Sequence, residues 1–211
     1  MGLKGYLLQG SEWDQANHIK HLTPAVRGGY CRALVICWLK DCVTNPKITV
    51  TANFKYLIQA HTGNLAAIAK SQEDTDKIDG INGLQTATLH LLQVSAGTLS
   101  INDHGGTVWY KSVNPAVPGQ QVMTALNNST TTPRTCIVHL EWDSRFFGFG
   151  GGAHAIGVIS ETGSSPEVNY TVFDPNYGIL RADGDAAFLN LIEAIRSCYS
   201  VDRLMAMPLM G

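Results

Sequence analysis

Charge is scarce in this 211-residue chain: Asp, Glu, Lys and Arg make up 15% of it, and the formal net charge is −2. With no basic run there is no electrostatic footprint for nucleic acid or for an anionic membrane surface. No segment reaches the ~20 apolar residues that span a bilayer. The opening stretch MGLKGYLLQGSEWDQ lacks the apolar core of a cleavable secretory signal, and Tyr6 stands where a myristoylation signal needs Ser or Thr. Cysteine is also sparse. Cys31, Cys37, Cys42, Cys136 and Cys198 are odd in number and form no C-x-x-C, which excludes a disulfide-stapled scaffold. There is no H-E-x-x-H either, so neither a metal nor another cofactor is expected. The glycines of FGFGGGAH end without G-K-[ST] and open no helix, which excludes a phosphate loop.

What is present is an ordinary folded protein, 45% apolar, long enough for one domain with a sizeable core. We read residues 1–211 as that domain, with an N-terminal segment over 1–27, a mainly helical part over 28–96 and a mainly β part over 97–211. Gly28 and Gly29 break the chain before CRALVICWLKDCV, where Leu34, Val35, Trp38, Leu39 and Cys42 fall at helical spacing. Asn45-Pro46 ends that helix. Further helices are expected over 52–72 and 85–94. After Gly97 come β-rich runs at 107–112, 135–142, 154–160, 167–173 and 178–181, separated by turn residues such as ALNNSTTTPR. Residues 185–199 place Phe188, Leu191, Ile192 and Ile195 on one helical face, and LMAMPL reads as a last strand. Helices first and an antiparallel sheet after them make an α+β layout.

Among the cysteines, position singles out Cys31. A thiol attacks as its thiolate, and a helix N-terminus, with its unpaired N–H groups and partial positive charge, lowers the thiol pKa. Cys31 opens the helix, whereas Cys37 and Cys42 lie within it or at its wrong end. Cys37, Cys136 and Cys198 read as small buried hydrophobes. Of the seven histidines, His154 follows a glycine run that permits close backbone approach and opens the apolar strand AIGVIS. His139 has the strand setting without the glycines and ranks second; His104 in INDHGG reads as a loop residue. Asp174 in VFDPNYG ends a strand and can orient an imidazole. The same residues also make an ordinary turn, with Asp capping its own backbone. Asn176 is a second orienting candidate.

Together GGYCRALVICWLK, GGAHAIGV and FDPNYG resemble the YopT-type cysteine peptidases, bacterial effectors and toxin domains of the papain-like clan. The shared pattern is Gly29, Cys31 and Trp38, then His154 and Ala155, then Asp174, Pro175, Asn176 and Gly178, and the resemblance runs from about Gly28 to the end. It implies a papain-like fold in which a central nucleophile helix packs on a C-terminal antiparallel sheet. It implies Cys31 as nucleophile, His154 as general base and then acid, and Asp174 as orienter, working through an acyl-enzyme. It also implies a soluble effector, secreted from a bacterium into a host cell without a cleavable signal peptide, that cleaves a host protein. The same triad can serve a deamidase, transglutaminase or acyltransferase, or persist in an inactive binding relative. One departure stands out: Ala25 to Tyr30 offer no Gln or Asn as oxyanion donor. Gln15, Asn17 and His18 are the remaining upstream candidates.

Overall fold

The computed structural model describes residues 2–15, 17, 30–45, 67, 70–72, 74, 88, 99–101, 107–110, 114, 116–142, 152–162 and 167–211. Its strands are β1 (Leu7–Glu12), β2 (Ser100–Ile101), β3 (Thr107–Tyr110), β4 (Arg134–Trp142), β5 (Gly152–Thr162), β6 (Val168–Asp174), β7 (Gly178–Asp183) and β8 (Arg203–Met210). Its helices are α1 (Cys31–Thr44), α2 (Ala116–Asn128) and α3 (Asp185–Tyr199). The strands form one sheet in the order β1-β7-β6-β5-β4-β8-β2, with β3 also on β8, and each pairing is antiparallel. The fold is α+β, as the layout of the sequence predicts.

Helices cover both faces of this sheet. On one, Leu34, Val35, Trp38 and Leu39 of α1 pack on Ile137, Ile159, Phe173 and Met207. On the other, Val122 and Leu126 of α2 and Phe188, Leu191, Ile192 and Ile195 of α3 pack on Val138, Leu140, Ile156 and Val172. Two covered faces explain why β4 and β5 read as continuous apolar runs rather than alternating ones, since neither pleat looks into water.

Three elements escape the sequence reading, the two-residue β2 among them. α2 lies between two expected strands, in a stretch that carries Pro118 and Gly119 and whose end, from Ala125, is read as turn. Pro118 is tolerated because it falls in the first turn, where the N–H has no partner within the helix. Gly119 serves the packing of α2 on α3: a Cβ there would come within 2.6 Å of Leu189 Cδ2. The other element is β1, an edge strand whose register on β7 is irregular and whose Gly10 has φ +78°. The helices expected over 52–72 and 85–94 fall mostly outside the described residues; 70–72 and 88 are helical.

Candidate active site

The placement of the site begins at Gly157. A Cβ at this position would lie 3.0 Å from two ring carbons of Trp38 and 3.1 Å from Val35, so the absence of a side chain is what lets α1 lie on β5. Trp38 is seven residues after Cys31, about 10.5 Å along a helix. Gly157 is three residues after His154, about 10 Å along a strand. With Trp38 seated on Gly157 and the two elements running in the same direction, the start of α1 comes level with the start of β5. Cys31 is thereby brought to His154, and the imidazole helps draw the thiol pKa down.

A second local feature gives the ring room. Pairing between β5 and β6 runs from Thr162↔Val168 only to Gly157↔Phe173, and β6 turns away after Asp174. The turn is the DPNYG segment: Asp174 Oδ1 accepts the Asn176 N–H at 2.9 Å, and the Asp174 carbonyl accepts the Tyr177 N–H at 3.0 Å. It closes on Gly178, whose φ is +110° and whose missing Cβ would fall 1.9 Å from the Ser11 carbonyl oxygen of the neighbouring strand. The turn reading of this motif and its reading as an orienter are thus compatible, because one Asp174 oxygen takes part in both.

His154 Nε2 lies 2.9 Å from Asp174 Oδ1, leaving Nδ1 for the Cys31 sulfur. All three residues are buried, with Cys31 9% exposed and Asp174 fully covered. The electrostatics agree with the geometry. Burial alone pushes the His154 imidazole down, but the hydrogen bonds to Asp174 and Cys31 and the charges of both carry it up to about 10. Burial likewise pushes the Cys31 thiol up. The His154 hydrogen bond and charge, the Ala155 N–H and the Arg32 charge outweigh it, so the thiol lies below its ordinary value. A thiolate facing an imidazolium is the state these groups favour.

The other candidates separate clearly. His139 is buried on β4 with Nε2 3.2 Å from Thr88 Oγ1; burial, then the charges of Arg32 and His154, push it down to about 3. It is a neutral structural histidine. Burial raises Cys37 to about 11 and raises Cys136 as well. Cys198, expected to be buried, is instead exposed at the end of α3, with Tyr177 Oη 3.0 Å from its sulfur. Of the upstream polar residues, Asn17 turns to Asp14, and His18 lies outside the described residues, as does His104. Gln15 is at the site: its Oε1 accepts the Tyr30 N–H at 3.4 Å and its Nε2 donates to Asn176 Oδ1 at 2.8 Å. Sequence reasoning missed Tyr199, whose hydroxyl is 3.0 Å from both oxygens of Asp174. It also missed Gln72, whose side chain accepts the Ala33 N–H in the first turn of α1. Neither belongs to a motif, and the only signal for Tyr199 was its position at the end of the apolar face of α3.

Among the described residues no cluster of three or more His, Cys, Asp or Glu is arranged to hold a metal ion, and no helix is long and apolar enough to cross a membrane. A groove of about 410 Å³ lined by Glu12, Trp13, Asp14, Asn17, Asn176 and Tyr177 opens beside Asn176.

A sheet with a helix on one face, its first residue level with the histidine at the start of a central strand, is the arrangement of a papain-like α+β fold. The solved structure of the Pseudomonas avirulence protein AvrPphB matches with a TM-score of 0.64 at 18% identity, over 99% of both chains. PatoxP, a cysteine protease-like domain of the Photorhabdus asymbiotica toxin PaTox, matches with a TM-score of 0.47 at 11% identity, over 99% of this chain and 55% of that one. No protein-family model and no curated protein sequence matches the chain.

Proposed function

We propose that this chain is a cysteine peptidase, a single papain-like domain that cleaves a host protein after export from a bacterium. The observation that carries the reading is the buried His154, its Nε2 2.9 Å from the Asp174 carboxylate and its ring beside the Cys31 thiol, whose pKa it lowers. Support for the biological setting comes from the shared fold with an avirulence protein. In the proposed reaction the Cys31 thiolate attacks a peptide carbonyl while the Cys31 N–H, at the first position of α1, faces the developing oxyanion. His154 then gives its proton to the leaving amine, and the acyl-enzyme forms. A water molecule, deprotonated by His154, attacks the thioester; the acid product leaves, and the Cys31 thiolate and His154 imidazolium are restored. Asp174 holds the imidazole in register and stabilises its charged form throughout.

The test uses intact-mass analysis of candidate host proteins incubated with the wild-type chain and with Cys31→Ala. Two shortened products that sum to the substrate plus one water, absent with the variant, are expected. An amide-to-acid mass change with no shortening would replace the peptidase reading with that of a deamidase. Independently of substrate, Cys31 should react with iodoacetamide well below about pH 8 and lose that behaviour in His154→Ala.

A further inference from the structure

The carboxylate of Asp174 and the backbone just before Cys31 are joined by a second route that does not pass through His154. Tyr199 Oη is 3.0 Å from both Asp174 oxygens. Asn176 Nδ2 donates to Tyr199 Oη at 3.1 Å, Gln15 Nε2 donates to Asn176 Oδ1 at 2.8 Å, and the Tyr30 N–H donates to Gln15 Oε1 at 3.4 Å. Tyr30 precedes Cys31 in the chain, so the route closes on itself through the thiol, the imidazole and the carboxylate.

Both ends of this route fix its polarity. A carboxylate only accepts, so Tyr199 must donate to it and its oxygen is left to accept from the Asn176 amide NH₂. That leaves Asn176 Oδ1 to accept from Gln15, and Gln15 Oε1 to accept from an N–H that can only donate. Every amide therefore has one orientation, and no flip of Asn176 or Gln15 preserves the series. The tyrosine ring is held apart from its hydroxyl: it stacks on Trp142 at 5.7 Å and 22°, sits 5.0 Å from the His154 ring, and meets Tyr177 edge-on at 6.3 Å.

We propose, resting on the triad reading above, that Tyr199 is a positioning residue and that Tyr199, Asn176 and Gln15 act as one unit that aims Asp174 at His154 and keys it to the Cys31 backbone. Gln15 is thereby given a role distinct from donating to an oxyanion. Iodoacetamide separates the two, because alkylation by displacement of iodide forms no oxyanion.

The experiment measures Cys31 alkylation against pH for the full chain and for Tyr199→Phe, Gln15→Ala and the double variant, with thermal unfolding run alongside. At about pH 6, Tyr199→Phe should slow alkylation about tenfold and Gln15→Ala about threefold, by loss of hydrogen bonds to or behind a charged group. The double variant should be slowed about tenfold rather than about thirtyfold, because both changes break one ring. The acid limb of the Tyr199→Phe profile should move up by about one pH unit, which a purely structural loss would not do. A wild-type rate for Gln15→Ala, or single effects that multiply in the double variant, overturns the proposal. Phe keeps the ring contacts; should it nevertheless unfold the protein, Gln15→Ala alone still decides. If wild-type Cys31 reacts no faster than the other cysteines, the nucleophile reading itself falls. Fast wild-type reaction with unaffected variants removes only the ring.

Discussion

Replacing Gly157 by alanine tests whether the seating of Trp38 sets the distance between Cys31 and His154. The added methyl would stand 3.0 Å from Trp38 Cε3 and Cζ3 and 3.1 Å from Val35 Cγ1, where ordinary contacts lie at 3.4–4 Å. Trp38 is fully buried and tilted against Phe173 at 5.4 Å, so the indole has no free space to retreat into. The strain passes instead to α1, which must lift from β5 by about 0.5 Å, an overpacking that costs about 1–3 kcal/mol. For a chain of this size that is a fall of roughly 2–12 °C in Tm. The same lift carries Cys31 away from His154 and weakens their hydrogen bond, so low-pH alkylation of Cys31 should slow as well. Trp38→Phe alone leaves a cavity beneath α1 and is also destabilising. Combined with Gly157→Ala it should be less harmful than the sum, because the methyl fills part of the space the indole vacates. Differential scanning calorimetry and timed iodoacetamide labelling read both effects. An unchanged Tm and labelling rate in Gly157→Ala, or simple additivity in the pair, would show that Trp38 on Gly157 does not set the spacing.

Other expectations follow from the same geometry. Cys31 labelling should rise on the acid side of the ordinary thiol range and hold a plateau until His154 deprotonates near pH 10. His154 is raised from 6.5 to about 10 on folding, and its contribution to stability disappears as pH rises through about 10, whereas the lowered Cys31 thiol contributes in the opposite sense up to its ordinary value of 9.0; the two offset each other at neutral pH, so urea titrations should find stability level there and falling as pH passes from about 9 through about 10. A stability that climbs from pH 7 to pH 10 would contradict it. Asp174→Asn removes the charge that helps hold the imidazolium, so the His154 value should fall and turnover should drop about tenfold, the difference between a charged and a neutral acceptor; NMR titration of the His154 ring reports the first effect. Gly178→Ala places a Cβ 1.9 Å from the Ser11 carbonyl at a φ of +110°, and we expect loss of β1 pairing, visible as fast amide exchange at Trp13 and Arg181. Protection at wild-type levels there would mean that β1 moves aside intact.

The sequence carried most of the sheet because its strands are long apolar runs bounded by Gly, Asn and Pro, and it carried α3 through the spacing of Phe188, Leu191, Ile192 and Ile195. It did not carry α2, whose Pro118 and Gly119 look like breakers until Leu189 is known to lie against them. Cys31, His154 and Asp174 were legible because each sits at the end of an element next to a glycine or proline, where local chemistry constrains the residue type. Tyr199 and Gln72 were not. Each has a partner more than 20 residues distant or in an element that periodicity does not reveal, and a hydrogen bond across a fold leaves no mark on spacing. The exposure of Cys198 was misjudged for a related reason, since a cysteine on a helix gives no sign of which side its neighbours leave open.

The parting of β5 from β6 has a consequence for folding as well as for the site. Within the sheet each β5 amide facing β6 has a carbonyl waiting for it, up to Gly157↔Phe173. Two residues further along, where β6 has turned away, the Ala155 N–H faces the Cys31 sulfur and helps lower its pKa. The sulfur takes the place of the carbonyl that a longer strand would have supplied, and it accepts best as an anion. Ionising the thiol therefore completes a rung of the sheet. A chain with alanine at position 31 loses more than a small side chain from the start of a helix: it leaves a strand with an unanswered donor, and its sheet should fray first at Ala155.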